Sequence, residues 1–188
     1  MAWLATRRQR RKAVTGLLLA AALPLSLGVF GARFNTTPSL PYGVYWVINA
    51  PPQPGRYGSF CPSLVVPVFA LARERLYLPS GGCPGNVRPL LKQIAAVAGD
   101  TVSIDADGVR VNGQLLPNSR PLQRDGAGRP MPRLILQERA LHADELLLMS
   151  DYAPSSFDAR YFGPVQRGQV HEVLRPLWTW PTPPRQLH

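Results

Sequence analysis

Twenty consecutive uncharged residues, Ala13 to Ala32 (AVTGLLLAAALPLSLGVFGA), constrain this chain more than any other feature. As a helix rising about 1.5 Å per residue they span about 30 Å, the hydrocarbon thickness of a bilayer. Arg7, Arg8, Arg10, Arg11 and Lys12 stand immediately before them. Basic residues flank the cytoplasmic end of a membrane helix, so the N-terminus is expected inside and the remainder outside. Pro24 and Gly28 are compatible with a membrane helix. The expected organisation is a basic cytoplasmic arm at 1–12, a transmembrane anchor at 13–32 and one exported domain at 33–188. A cleaved secretory signal, with small residues at Gly31 and Ala32, is the alternative. The basic cluster adjoins an apolar run, so it is not read as a nucleic-acid-binding arm.

Composition bounds the exported part. The 188 residues suit one domain. Pro (21) and Gly (16) are abundant, which disfavours a helical bundle and favours a turn-rich, mainly β domain. The net charge is +10, and 19 Arg stand against two Lys, Lys12 and Lys92. Two Cys and three scattered His exclude a multi-disulfide scaffold, a four-Cys zinc site and a His-rich metal site. Outside the cytoplasm Cys61 and Cys83 meet an oxidising compartment. A disulfide between them is expected, with two buried free thiols as the alternative.

Short strands are read at Val44–Ile48, from Ser59, over Leu90–Ala98, at Leu134–Leu136 and at Glu145–Met149. Thr101–Asp105 and Val109–Asn112 flank Asp107-Gly108, a strong hairpin signal. Pro51–Gly58 and Pro79–Asn86 read as loops, and Pro117–Pro132 as a long polar loop. Leu64–Ala72 fits strand or helix, and Gln137–Leu146 is the best short helix candidate.

Three segments could carry chemistry. In Thr36-Thr37-Pro38-Ser39-Leu40-Pro41, hydroxyl residues lie between prolines that fix the backbone. Taken alone it also fits a Pro-rich linker. In Leu90–Ile94, strand alternation puts Lys92 on a face with Leu90 and Ile94. Lys92 is the one Lys of the exported domain. Burial disfavours the charged amine, and a neutral Lys can act as general base toward a serine. A Lys snorkelling to solvent is the plainer alternative. The third segment, Met149–Val165, holds Ser156, Asp158 and Arg160, the last two spaced to form an ion pair. His142, His171 and His188 read as ordinary surface or terminus, and Asn35-Thr36-Thr37 as a chance match to a glycosylation sequon.

In this order the segments resemble the type I signal peptidases, Ser/Lys-dyad peptidases of the bacterial membrane. The resemblance covers the anchor and most of the exported domain. It implies a mainly β, signal-peptidase-like catalytic domain behind a single N-terminal transmembrane helix in the inner membrane. The N-terminus would be cytoplasmic and the catalytic domain periplasmic. It further implies Ser39 as nucleophile and Lys92, followed by Gly99-Asp100, as base. Thr37 and the Ser39 amide would form the oxyanion hole. Ser156 would orient the Lys amine, and Asp158 and Arg160 would support it, followed by the matching Gly163. Departures are Ser150-Asp151-Tyr152 in place of Gly-Asp-Asn, Ala159 in place of a second Ser, and Pro41 two residues after Ser39. The string from Asn35 to Trp46, Phe60-Cys61-Pro62 and Gly128–Pro132 are similar to the TraF-type conjugative transfer peptidases.

The activity implied is a serine endopeptidase acting through an acyl-enzyme on an exported precursor such as a conjugative pilin subunit, with cyclisation or hydrolysis open. Its partners would be the membrane and a peptide or protein precursor, with no nucleic acid, metal or cofactor. Two alternatives stand beside it: a housekeeping-like signal peptidase removing leader peptides, and a non-catalytic membrane-anchored component of a conjugation or secretion apparatus.

Overall fold

Strand β2 (Tyr42–Ile48) forms where the sequence turns β-branched and aromatic. It pairs antiparallel with β1 (Ala32–Asn35) on one side and with the long β11 (Val170–Trp180) on the other. A computed structural model describes residues 30–181, together with Val14 and Gly28. The expected basic arm and nearly all of the expected anchor lie outside the described residues. Among the described residues no helix is long and apolar enough to cross a membrane. Ala32, the last residue of the apolar run, is buried and opens β1.

The remaining elements follow in chain order: β3 (Tyr57–Phe60), helix α1 (Pro67–Glu74), β4 (Leu90–Ala96), β5 (Thr101–Ile104), β6 (Val109–Val111), β7 (Gln114–Leu115), β8 (Leu136–Ala140) and β9 (Glu145–Met149). Helix α2 (Ala159–Phe162) and β10 (Val165–Gln166) precede β11. A seven-stranded sheet has the order β1-β2-β11-β3-β4-β9-β10, and a four-stranded sheet the order β7-β6-β5-β8. Their strand pairs are antiparallel. The domain is β-rich, as expected.

Strand β9 joins the two cores. Leu146 and Leu148 pack with Phe60, Phe69 and Ile94. Leu147 and Met149 pack with Val102, Ile104 and Val109. Both faces of β9 are covered, which is why it reads as an unbroken apolar run. The Asp-Gly hairpin of β5 and β6 forms as read, with Ile104 opposite Val109.

One open reading is decided and two are corrected. Leu64–Ala72 resolves into α1, started by Pro67 in its first turn and turned inward through Phe69 and Ala72. Gln137–Leu146 is not helical. It divides into β8, which pairs with β5, and β9, which pairs with β4. Glu145 ties the turn between them by accepting from Arg139 and the His142 amide. The strand read at Leu134–Leu136 begins only at Leu136.

Strand β11 has no strand signature in the sequence, because His171, Glu172, Arg175 and Pro176 interrupt its alternation. The ladder adapts to Pro176, which lacks an amide donor, by shifting register before Trp178. Gly43 permits this crossing. A Cβ there would stand 2.2 Å from the Trp178 carbonyl oxygen.

Candidate active site

The loop after β1 is organised by Asn35, which is buried. Its amide nitrogen donates to the carbonyls of Thr37, Leu40 and Pro41 at 3.0, 3.0 and 3.1 Å. Its oxygen accepts from the Thr37 amide at 3.2 Å and the Thr37 hydroxyl at 2.8 Å. Asn and Asp side chains bond backbone two residues on, and this asparagine folds the whole turn around itself. Leu40 is fully buried and Tyr45 donates to the Pro41 carbonyl at 2.9 Å, which pins the turn's far end. Ser39 thus stands on a fixed loop, with its Oγ 3.1 Å from Thr37 Oγ1. The Asn35 oxygen only accepts, so the Thr37 hydroxyl hydrogen is committed to it. Thr37 Oγ1 therefore receives the Ser39 proton in this arrangement.

Lys92 lies on β4 with Ile94 and Ala96 on the buried face. It is 3% exposed, and Nζ donates to Ser156 Oγ at 2.9 Å. Burial lowers its pKa from 10.5 to about 8, with the nearby Asp158 carboxylate opposing and the Arg160 guanidinium assisting. The snorkelling alternative does not hold. Ser39, Thr37, Lys92 and Ser156 line one cavity of about 680 Å³, which is mainly apolar. Among the described residues no hydrogen bond joins Ser39 to Lys92.

Beneath the cavity lies a fully buried ion pair. Arg160 donates to both Asp158 oxygens, at 2.7 and 2.9 Å. The rest of its guanidinium donates to the carbonyls of Asn118, Arg120, Pro154 and Ser150. A buried pair is tolerated only when its remaining donors and acceptors are satisfied, as here. Asp158 also caps α2 through the Arg160 amide and accepts from the Ser150 amide. Gly163, at φ 75°, ends that helix.

Ser150 and Asn35 are the residues the sequence reading missed. The Ser150 hydroxyl donates to the Ser39 carbonyl and accepts from the Ala153 amide. It thereby links the Ser39 loop to the Asp158–Arg160 pair. In the sequence Ser150 stands only as a departure from Gly-Asp-Asn. Asn35 carried a usable signal, an asparagine two residues before a Thr-Pro turn. His171, read as ordinary surface, is exposed and lines the cavity wall, while His142 is exposed elsewhere. His188 lies outside the described residues.

Cys61 and Cys83 form a disulfide. It joins the end of β3 to the hairpin beyond α1, where Cys83 bridges Val87. That hairpin supplies Pro79 and Arg88 to the cavity. Among the described residues no cluster of His, Cys, Asp or Glu is placed to hold a metal ion.

A hydroxyl on a rigid turn and a buried amine beside a second hydroxyl, around one apolar groove, are groups suited to acyl transfer. The chain belongs to the signal peptidase family, peptidase S26, which matches residues 16–178. It is 49% identical over 164 residues to a plasmid transfer protein TraF from Escherichia coli, covering 87% of this chain and 90% of that protein. A second plasmid transfer protein TraF from Escherichia coli is 45% identical over 174 residues, covering 90% and 97%. A solved signal peptidase I from Enterococcus faecalis is 22% identical, spans 67% of this chain and 98% of its own, and aligns loosely at a TM-score of 0.36. These peptidase and transfer-protein relatives imply a peptide or protein as substrate.

Proposed function

We propose that the protein is a membrane-anchored serine endopeptidase that uses a Ser39/Lys92 dyad to process an exported precursor, such as a conjugative pilin subunit. The observation that carries this reading is the Lys92 amine, withdrawn from solvent, depressed to about 8 and opening on the same cavity as Ser39. An amine of that pKa is neutral in a useful fraction near pH 7, which an exposed Lys is not.

In this mechanism the Ser39 hydroxyl turns from Thr37 to neutral Lys92. Its proton passes to Nζ as Oγ attacks the peptide carbonyl. The oxyanion is held by the Ser39 amide and by the Thr37 hydroxyl once it leaves Asn35. One such donor is worth about 3 kcal/mol. The Lys92 ammonium returns the proton to the leaving amine, and the acyl group remains on Ser39. Water, or an amine of the precursor itself, then takes the acyl group; Lys92 accepts its proton and passes it to Ser39 Oγ as the acyl bond breaks, restoring the hydroxyl and the neutral amine. Ser156 holds Nζ in line throughout. The anchor at 13–32 would keep the domain at the periplasmic face of the inner membrane. The Cys61–Cys83 disulfide supports an oxidising compartment.

The test is intact mass of a pilin precursor incubated with the membrane-embedded protein, beside a Ser39→Ala control. A linear fragment indicates hydrolysis, and a fragment lighter by one further water indicates cyclisation. A precursor left whole by the wild type, or cut equally by Ser39→Ala, overturns the reading.

A further inference from the structure

We propose that Arg33 is a positioning residue. With Glu172 it clamps the end of the membrane anchor to the catalytic sheet, so that Ser39 stands at one height and angle above the bilayer. The inference rests on the anchored-peptidase reading above.

Arg33 is the first charged residue after the uncharged run, and its guanidinium is divided between two parts of the chain. Nη1 donates backward, to the carbonyls of Gly28 at 2.8 Å and Ala32 at 3.0 Å. Nε donates to both Glu172 oxygens at 3.0 Å, and Nη2 completes the ion pair. Gly28 is helical and lies within the expected anchor. Glu172 lies on β11, and β2 stands between β11 and β1. One planar fork thus ties the anchor's end to a strand two places away, which the single point charge of a lysine could not do. An exposed ion pair alone is weak, but bidentate geometry with further bonds to the same guanidinium strengthens it.

The backbone path from Gly28 to Ser39 is bonded nearly throughout. The Gly31 amide donates to the Gly28 carbonyl at 3.2 Å, and the Gly31 carbonyl accepts from the Val47 amide at 2.9 Å. Gly31 stands at φ 109°, a conformation in which glycine commonly follows a helix end. Carbonyls of a last helical turn need partners from outside the helix, and Gly31 and Arg33 supply two to Gly28. All four residues of β1 pair with β2. Asn35, two positions after Arg33, then folds the turn that carries Ser39. Strand β1 is about 13 Å long, which keeps the Ser39 loop close to the bilayer surface. A precursor in the same membrane meets the site by lateral diffusion, so a fixed height and angle raises the share of productive encounters.

The test uses the full-length protein in nanodiscs, with nitroxides at Ala21→Cys in the anchor and Asp107→Cys in the exposed β5–β6 turn. Pulsed electron paramagnetic resonance should give one narrow distance distribution. Arg33→Gln and Glu172→Ala should each broaden it, while both variants keep a cooperative melt. Turnover is then compared on a membrane-embedded precursor and on a soluble peptide carrying the same cleavage sequence, beside Ser39→Ala. Both variants should lose about ten-fold more kcat/KM on the embedded precursor than on the peptide, chiefly through KM. A pair that only stiffened the fold, or only lined the cavity, would lower both equally. A broad distribution without either substitution, distributions unchanged in both variants, or equal losses on the two substrates overturns the proposal. If the distance is narrow but neither substrate shows a Ser39-dependent cut, the peptidase reading fails and the positioning role with it.

Discussion

The Ser150 hydroxyl donates to the carbonyl of Ser39 across 111 positions of sequence. The Ser150 amide donates to Asp158, and its carbonyl accepts from Arg160. One residue therefore couples the Ser39 loop to the buried ion pair. Ser150→Ala leaves the Ser39 carbonyl without this donor, at a cost of about 1–3 kcal/mol. The expected result is a fall in kcat of at least about ten-fold, with the melting transition lowered but still cooperative. Unchanged turnover on the processed precursor would show that the Ser39 loop is held without this bond.

Activity should rise with pH as the Lys92 ammonium loses its proton, with an acid limb near pH 8 in kcat/KM. Lys92→Arg keeps a cation but supplies no base, and it should abolish turnover. Ser156→Ala frees Nζ from its 2.9 Å partner and should lower kcat while leaving the limb in place. A pH profile flat between 6 and 9 would remove Lys92 from the base role.

The same burial makes Lys92 a stability liability with a defined pH window. Its proton is held less firmly in the folded chain, where the pKa falls from 10.5 to about 8. Below pH 8 both states carry the proton, and the fold bears the full penalty, roughly 3 kcal/mol. Between pH 8 and 10.5 the unfolded chain binds more protons, so stability rises with pH. Lys92→Met escapes the penalty. It should be more stable than the wild type at pH 7, with the gap closing toward pH 10.5 in denaturant titrations.

The disulfide closes a separation of 22 residues. Constraining a loop of that length stabilises a fold by about 3 kcal/mol. Cys61→Ser with Cys83→Ser should lower the denaturation midpoint accordingly. Because the stapled hairpin forms a cavity wall, KM should rise more than kcat falls. Equal stability with and without reductant would contradict this.

The residues gathered around the cavity were more legible in the sequence than the scaffold that gathers them. Lys92 stood out because one Lys among many Arg fell on an apolar face, and alternation needs only local order. Ser156, Asp158 and Arg160 were reached through a motif, while the burial of Arg160 draws on the distant Asn118 and Arg120 carbonyls that accept from it. The hairpin at Asp107-Gly108 carried its own turn chemistry. Strand β11 did not, because its partners β2 and β3 lie more than a hundred residues earlier and supply the pairing its own pattern lacks. The stretch 137–146 misled because charged and apolar residues happen to recur at helical spacing, whereas pairing with β5 and β4 decides its state. Ser150 could not be found locally, since its meaning is a contact with Ser39.

Asn35 gives the sharpest separation of loop geometry from chemistry. Its amide group serves three carbonyls and its oxygen serves both donors of Thr37. Asn35→Asp keeps the shape and the acceptor but turns the donor into a second acceptor facing those carbonyls. Buried unpaired groups cost about 1–3 kcal/mol each, more when charged. The loop should therefore open, with a drop in stability of several kcal/mol that lessens at acid pH, where a protonated Asp regains one donor. Thr37→Val instead keeps the loop carbonyls satisfied and removes one hydroxyl. It should leave stability within about 1 kcal/mol and lower kcat by about a hundred-fold. Comparing thermal melts and single-turnover rates for the two variants distinguishes the roles. If Thr37→Val retains full kcat, the Thr37 hydroxyl serves only to shape the turn, and the Ser39 amide holds the oxyanion without it.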